Sequence, residues 1–299
     1  MTRVGVGGVA RVVALALLWG SGFLWIKIAL GGLSPTQITL TRLLLGTIVL
    51  AAIIYGQRQR LASGRRLWGH LAIAALFANA APYWLFALGE QTVSSSVAGI
   101  INCTTPLWTM LLAYASGHDR KLGTTRLLGL LTGFVGTLLI FAPWSSGNQV
   151  VSLGGLACLG ASLCYAISYL YMDRFLVNRG FPPLVLAASQ LIAASSLMVL
   201  ALPFEGLQAT KPRLEVLVAI AILGILGTGA AYVLNYRIIQ DDGPVLASTV
   251  TYLLPIVAVV LGWLVLAEVP TLLSLGGMAV ALAGVALTRR SSVVRPRHA

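Results

Sequence analysis

The chain has 299 residues, 58% of them hydrophobic and only 9% charged, with a mean hydropathy of +0.91. A soluble domain carries about 25% charged residues, so composition excludes a soluble globular protein and points to a polytopic membrane protein. The net charge of +12 does not indicate a nucleic-acid partner, because the basic residues stand in short stretches between apolar runs, with no patch of interleaved aromatics.

Ten apolar runs follow one another, at about 11–31, 35–56, 67–89, 94–116, 123–142, 152–173, 182–204, 213–238, 244–266 and 271–288, each close to the ~20 residues a helix needs to cross a bilayer. The first, behind Arg3 and Arg11, superficially resembles a secretory signal. It is too long for one, carries Trp19 and Lys27 and lacks a persuasive cleavage site, so it reads as the first spanning helix. Connections are short, and a loop such as 144–149 leaves no room for a soluble domain. Cys103, Cys158 and Cys164 all fall inside apolar runs, without metal-ligand spacing and odd in number, which argues against both a disulfide framework and a metal site. The sequon Asn102-Cys103-Thr104 lies at membrane depth and is discounted.

The fourth and ninth runs are two versions of one stretch. An offset of 149 pairs Ala98 with Ala247, Asn102 with Thr251 and Pro106 with Pro255, and just upstream pairs Tyr83 with Tyr232 and Gln91 with Gln240. An offset of 148 pairs Gly129 and Gly136 with Gly277 and Gly284, and Pro35 and Arg42 with Pro183 and Gln190. Five helices separate the copies. Five is odd, so the second copy crosses in the opposite sense. The expected fold is all-α and integral to the membrane: ten transmembrane helices as two inverted five-helix repeats.

Charge sets the orientation. The N-terminus, the stretches 57–66, 117–126, 174–179 and 237–243, and the tail from 289 hold sixteen of the twenty Lys and Arg, against Lys211 and Arg213 on the other side. The positive-inside bias places both termini in the cytoplasm. The chain divides into a first five-helix repeat at 1–142, a short outer loop at 143–151, an inverted second repeat at 152–290 and a basic cytoplasmic tail at 291–299.

These features resemble the drug/metabolite transporter superfamily, specifically its EamA-type ten-helix exporters. The resemblance is carried by Trp19-Gly20-Ser21-Gly22, Arg42, the stretch from Gly89-Glu90-Gln91 through Pro106-Leu107 with its second copy ending Leu266-Ala267-Glu268, and the paired glycines. It covers nearly the whole chain as an ordered set. One departure is visible: relatives often carry a glutamate after the fourth helix, where this chain reads His118-Asp119-Arg120-Lys121. Within the family the chain looks most like the bacterial inner-membrane exporters of aromatic and other amino acids. The resemblance implies efflux of a small organic metabolite by alternating access.

Inverted repeats put their substrate near the midplane between the halves. Each of Pro82, Pro106 and Pro255 removes an amide donor and kinks its helix, freeing the carbonyls of Ala78, Asn102 and Thr251. In lipid such carbonyls persist only buried in protein or lining a cavity. Asn79 and Tyr83 flank Pro82. An intramembrane Asn commonly does no more than bond a neighbouring helix. Trp19 lies too deep for an interfacial belt and stands beside small residues, so it is a candidate to stack on an apolar substrate, with Tyr165 as its counterpart. The candidate substrate-binding residues are thus Trp19, Asn79, Tyr83, Asn102, Tyr165 and Thr251. Lys27 and Arg42 are candidate partners of a substrate carboxylate, or else snorkel to the interface.

The expected partners are a small-molecule substrate, an amino acid or similar zwitterion, and the bilayer, with no cofactor, nucleic acid or obligate protein partner evident. A broad cationic-drug efflux pump is the alternative. It needs an acidic or aromatic cage, of which the aromatic half is visible. An intramembrane enzyme would need a catalytic constellation at depth, and no His or Asp stands there. No Asp or Glu lies at the predicted midplane either, which predicts facilitated efflux or exchange without stoichiometric proton coupling. Equal uptake rates with and without an imposed pH gradient check this; accumulation against concentration driven by that gradient overturns it.

Overall fold

The computed structural model describes residues 6–117, 123–142, 144, 152–177, 179–205, 213–257, 259–260 and 271–292. The predicted outer loop at 143–151 apart from Trp144, the His118–Lys121 stretch, Glu268 and the tail beyond 292 lie outside these residues. The described secondary structure is helical throughout. Hydrocarbon offers no hydrogen bonds, so a spanning segment must satisfy its own amides, and a helix does so.

The helices are α1 (Val6–Gly20), α2 (Gly22–Ala29), α3 (Pro35–Gly56), α4 (Arg65–Ala75), α5 (Ala81–Gly89), α6 (Ser95–Asn102), α7 (Thr105–Ala115), α8 (Thr124–Phe141), α9 (Leu153–Phe175), α10 (Pro183–Glu205), α11 (Leu214–Ala221), α12 (Ala231–Asp242), α13 (Pro244–Ser248) and α14 (Leu272–Ser292). Several are parts of one span. α1 and α2 are divided at Ser21; α4 and α5 are joined by a π-helical turn, Leu76–Ala80; α11 and α12 by a longer one, Ile222–Ala230. A 3-10 turn, Thr249–Leu253, follows α13. Among the described residues seven helical stretches are long and apolar enough to cross a membrane, and shorter apolar helices stand at Thr124–Ile140, Pro244–Val257 and Leu272–Thr288.

Sequence explains the ends. Ser34 opens α3 with a capping box: its hydroxyl accepts from Gln37 N at 3.3 Å, and Gln37 Oε1 accepts from Ser34 N at 2.8 Å. Pro35 follows at the first helical position, where the missing amide costs nothing. Ser94 and Ser152 cap α6 and α9 in the same way.

Polarity is turned inside out relative to a soluble protein. Leu200 is 69% exposed and Ile48 62%, whereas Asn79, Gln190 and Thr228 are fully buried. This distribution suits a bundle whose surroundings are lipid. The small-residue faces pack on each other within the chain. A Cβ on Gly129 would meet Gly284 O at 2.9 Å, and one on Gly277 would meet Gly136 O at 2.8 Å. As position rises along α8 it falls along α14, so the two helices are antiparallel. The contact is also reciprocal, since the partners of Gly129 and Gly136 at the 148 offset are Gly277 and Gly284. Thr47 Oγ1 on α3 likewise meets Ser195 Oγ on α10, its own match at that offset, at 3.0 Å.

Close approach at the α8–α14 seam predicts that Gly136→Ala, whose Cβ would lie 2.3 Å from Ala281 N, destabilises the protein by about 1–3 kcal/mol through overpacking. Gly276→Ala on α14 meets open space and leaves stability unchanged or slightly higher. Thermal unfolding of the two variants in detergent measures the difference.

Candidate functional site

The breaks in the helices bring functional groups together. Trp19 stands at the end of α1, with Phe23 and Ile26 on the same side of α2, four and seven residues on. Along with Tyr83 and Phe86 of α5, Tyr165 and Tyr169 of α9, and Leu223 and Gly227 of the longer π turn, they wall one partly open cavity. The rings contact one another edge-on and stacked: Phe23 with Phe86 at 5.5 Å and 75°, Phe86 with Tyr165 at 5.9 Å and 28°. Offset and edge-to-face arrays of this kind present flat apolar walls to a bound solute.

The polar groups on the cavity are few: Arg42 from α3, Asn102 at the end of α6, Thr251 in the 3-10 turn and the tyrosine hydroxyls. Arg42 is 6% exposed. Its Nε donates to Thr228 Oγ1 at 3.1 Å, and its Cζ lies 3.7 Å from the centroid of the Tyr83 ring. The Tyr83 hydroxyl has no hydrogen-bond partner among the described residues. Trp19 Nε1 donates to Gly227 O at 3.1 Å, which fixes its ring edge-on to Tyr232 at 6.2 Å.

Below the cavity, toward the arginine-rich end of the bundle, a polar layer ties the two halves. Tyr232 donates to Ala78 O, the carbonyl that Pro82 deprives of its amide partner. Tyr236 donates to Gln190 Oε1, and Gln190 Nε2 donates to Asn79 Oδ1 at 2.6 Å. At the end itself Arg11 pairs with Asp241 at 2.7 Å, joining α1 to α12. The carbonyl of Thr251, which Pro255 denies its regular helical donor, accepts from Leu254 N in the 3-10 turn and from Cys103 Sγ at 3.1 Å. Two of the three proline-released carbonyls are therefore already served by side chains from the other half.

Five of the six residues singled out in the sequence, Trp19, Tyr83, Asn102, Tyr165 and Thr251, line this one cavity, as does Arg42. Asn79 does not; it belongs to the layer beneath, bonded to a neighbouring helix. Lys27 does not either. Its Nζ donates to Glu90 O at 2.6 Å and Val93 O at 3.2 Å, where it satisfies carbonyls beyond the C-terminus of α5. The chain breaks at Cys103–Thr104 before Pro106, and the backbone tightens to 3-10 geometry before Pro255. Sequence reasoning missed Phe23, Phe86 and Tyr169. Each stands three or four residues from a residue it did identify, and that spacing, which puts two side chains on one helix face, was the available signal.

A bundle of apolar helices around a central aromatic cavity, with polar ties across its halves, is the architecture of a membrane solute carrier. The profile of the EamA-like transporter family matches residues 6–142 and again residues 152–290, so the chain belongs to that family. It is 28% identical over 272 residues to the uncharacterized transporter YdfC of Bacillus subtilis (strain 168), covering 91% of this chain and 87% of that protein. It is 26% identical over 252 residues to the uncharacterized inner membrane transporter YedA of Escherichia coli (strain K12), covering 83% and 79%. A riboflavin transporter of Brucella anthropi is 29% identical over 205 residues, covering 68% and 69%. A crystal structure superimposes with a TM-score of 0.76 over 93% of this chain and 94% of that one at 19% identity, which shows the shared fold.

The polar layer is tested by Tyr232→Phe. Removing the hydroxyl strips Ala78 O of its donor in a dry interior, a loss of about 1–3 kcal/mol. The expected result is a lowered unfolding temperature in detergent with the helical content of the folded protein unchanged.

Proposed function

We propose that this protein is a secondary transporter that exports small organic metabolites, aromatic and other neutral amino acids or related compounds, across the bacterial cytoplasmic membrane by alternating access. In this reading ten helices form two inverted five-helix repeats with both termini cytoplasmic. The double family match, the offset of 148–149 between the halves and the reciprocal antiparallel contact of α8 with α14 support it, since a two-fold relation between antiparallel helices has its axis perpendicular to them. The sixteen basic residues on one side support the orientation, and the inner-membrane relative supports the location.

One observation carries the substrate class: a cavity between the halves with six aromatic rings in its wall and a single cation, Arg42. A flat or apolar body stacks on the rings while a polar group meets the guanidinium. The cavity lies in the half of the bundle away from the arginine-rich end, and the layer of Tyr232, Tyr236, Gln190 and Asn79 closes it from the cytoplasm. Transport then requires that this layer part while its counterpart around Arg42 and Thr228 closes. Cationic drugs suit the cavity poorly, because no carboxylate lines it among the described residues. A flat polycyclic solute such as riboflavin is the second reading, favoured by the stacked Phe86–Tyr165 wall and by the riboflavin transporter among the relatives.

Counterflow into proteoliposomes, preloaded with unlabelled amino acids singly or with riboflavin and offered the labelled solute outside, tests the proposal. Trp19→Ala, Asn102→Ala and Thr251→Ala are each expected to lower exchange about tenfold, equivalent to ~1.4 kcal/mol of lost binding. Exchange untouched by all three keeps a carrier and discards this cavity as its site; no exchange of any solute, alongside transport of a cationic dye, selects drug efflux.

A further inference from the structure

Within the carrier reading above, on which this inference rests, we infer that among the small aromatic metabolites it allows the cavity prefers those bearing a carboxylate and no compensating ammonium, with Arg42 as the anion-binding residue. The Arg42 guanidinium is 6% exposed on the cavity wall and makes one hydrogen bond among the described residues, from Nε to Thr228. A guanidinium presents five N–H donors in a fork that matches two carboxylate oxygens. With Nε engaged, the donors on its two terminal nitrogens meet no described acceptor. No Asp or Glu forms an ion pair with Arg42 among the described residues; the face of Tyr83 is what compensates its charge. A cation–π contact offsets only part of the cost of a charge held within a membrane. An anion in the cavity supplies the rest.

The internal repeat provides a control that a single site lacks. At the 148 offset Arg42 matches Gln190, and at the 149 offset its partner Thr228 matches Asn79. The contacts Arg42–Thr228 and Gln190–Asn79 are thus the same contact in the two halves. In the second half a neutral side chain fills the position, fully buried and bonded on both sides of its amide to Asn79 and Tyr236. Packing here needs a long hydrogen-bonding side chain and not a charge. The charge is present only in the copy that faces the cavity.

No charged partner awaits an ammonium. The described cavity wall holds no carboxylate, and of the three proline-released carbonyls those of Ala78 and Thr251 already accept from Tyr232 and Cys103, which leaves only neutral acceptors such as Asn102. A zwitterion entering this cavity would gain an ion pair at one end and only neutral acceptors in place of water at the other. An aryl carboxylate leaves no such group unpaired.

The test keeps one aromatic body and changes only its charge. Proteoliposomes containing the full chain are preloaded with phenylpyruvate and offered the labelled acid, in competition with phenylalanine and phenethylamine. Phenylpyruvate is expected to exchange and to be preferred about tenfold or more over phenylalanine, with phenethylamine ineffective. Arg42→Gln should remove that preference, and Arg42→Lys should retain part of it. Phenylalanine or phenethylamine competing as well as the acid, or a preference unchanged in Arg42→Gln, overturns the inference while leaving a carrier. So does exchange of riboflavin or amino acids with no exchange of phenylpyruvate. Absence of exchange by every solute removes the carrier reading as well. Where Arg42→Gln does not fold, thermal stabilisation of the wild-type protein decides: a shift with phenylpyruvate and none with phenethylamine upholds the assignment, and equal shifts or no shift with phenylpyruvate overturn it.

Discussion

The constraint on which this structure depends is that a backbone carbonyl released inside a membrane must find another donor. Pro82 and Pro255 each release one, at Ala78 and Thr251, and each receives a donor from the opposite half of the chain: Tyr232 reaches Ala78, and Cys103 reaches Thr251, which the 3-10 turn also serves through Leu254 N. A helix that breaks in lipid is thereby bound to the neighbour that repairs it. The kinks that widen the middle of the bundle are also the points at which the halves are joined.

Two π-helical turns add to this arrangement, Leu76–Ala80 in one half and Ile222–Ala230 in the other. A π turn leaves carbonyls outside the regular ladder and is found often at functional positions. Here Trp19 donates to Gly227 O within the longer turn, which holds its ring on the cavity wall. Backbone irregularity, aromatic placement and the cavity are consequences of one another. Away from the cavity the demand is different: α8 and α14 approach so closely that glycines stand at their crossing, and the seam adds a hydrogen bond from Ser274 Oγ to Ile140 O at 3.2 Å.

The halves match the same family model and differ in charge at one matched position. Arg42 with Thr228 and Gln190 with Asn79 occupy matching places, yet the cation stands beside the cavity and the neutral amide stands in the closed layer. Repetition in the chain supplies two matching positions, and divergence of the side chains leaves a cation on the cavity wall at one and a neutral amide bonded between helices at the other.

Much of this was legible in the sequence. The apolar runs, the offset of 148–149 and the distribution of Arg marked the membrane class and the paired prolines, because hydropathy, repetition and loop charge are properties of the chain itself. So were Trp19, Tyr83, Asn102, Tyr165 and Thr251, polar or aromatic at depths where lipid would not retain them. What sequence left open were the partners. Lys27 and Arg42 read as equivalent buried cations, and only tertiary structure separates them, one over the carbonyls of Glu90 and Val93 and the other in the cavity. Asn79 and Asn102 likewise differ only in what lies opposite. A helix records in its sequence which residues share a face; which helix that face meets is decided by packing between segments 63 residues apart for Lys27 and Glu90 and 186 for Arg42 and Thr228.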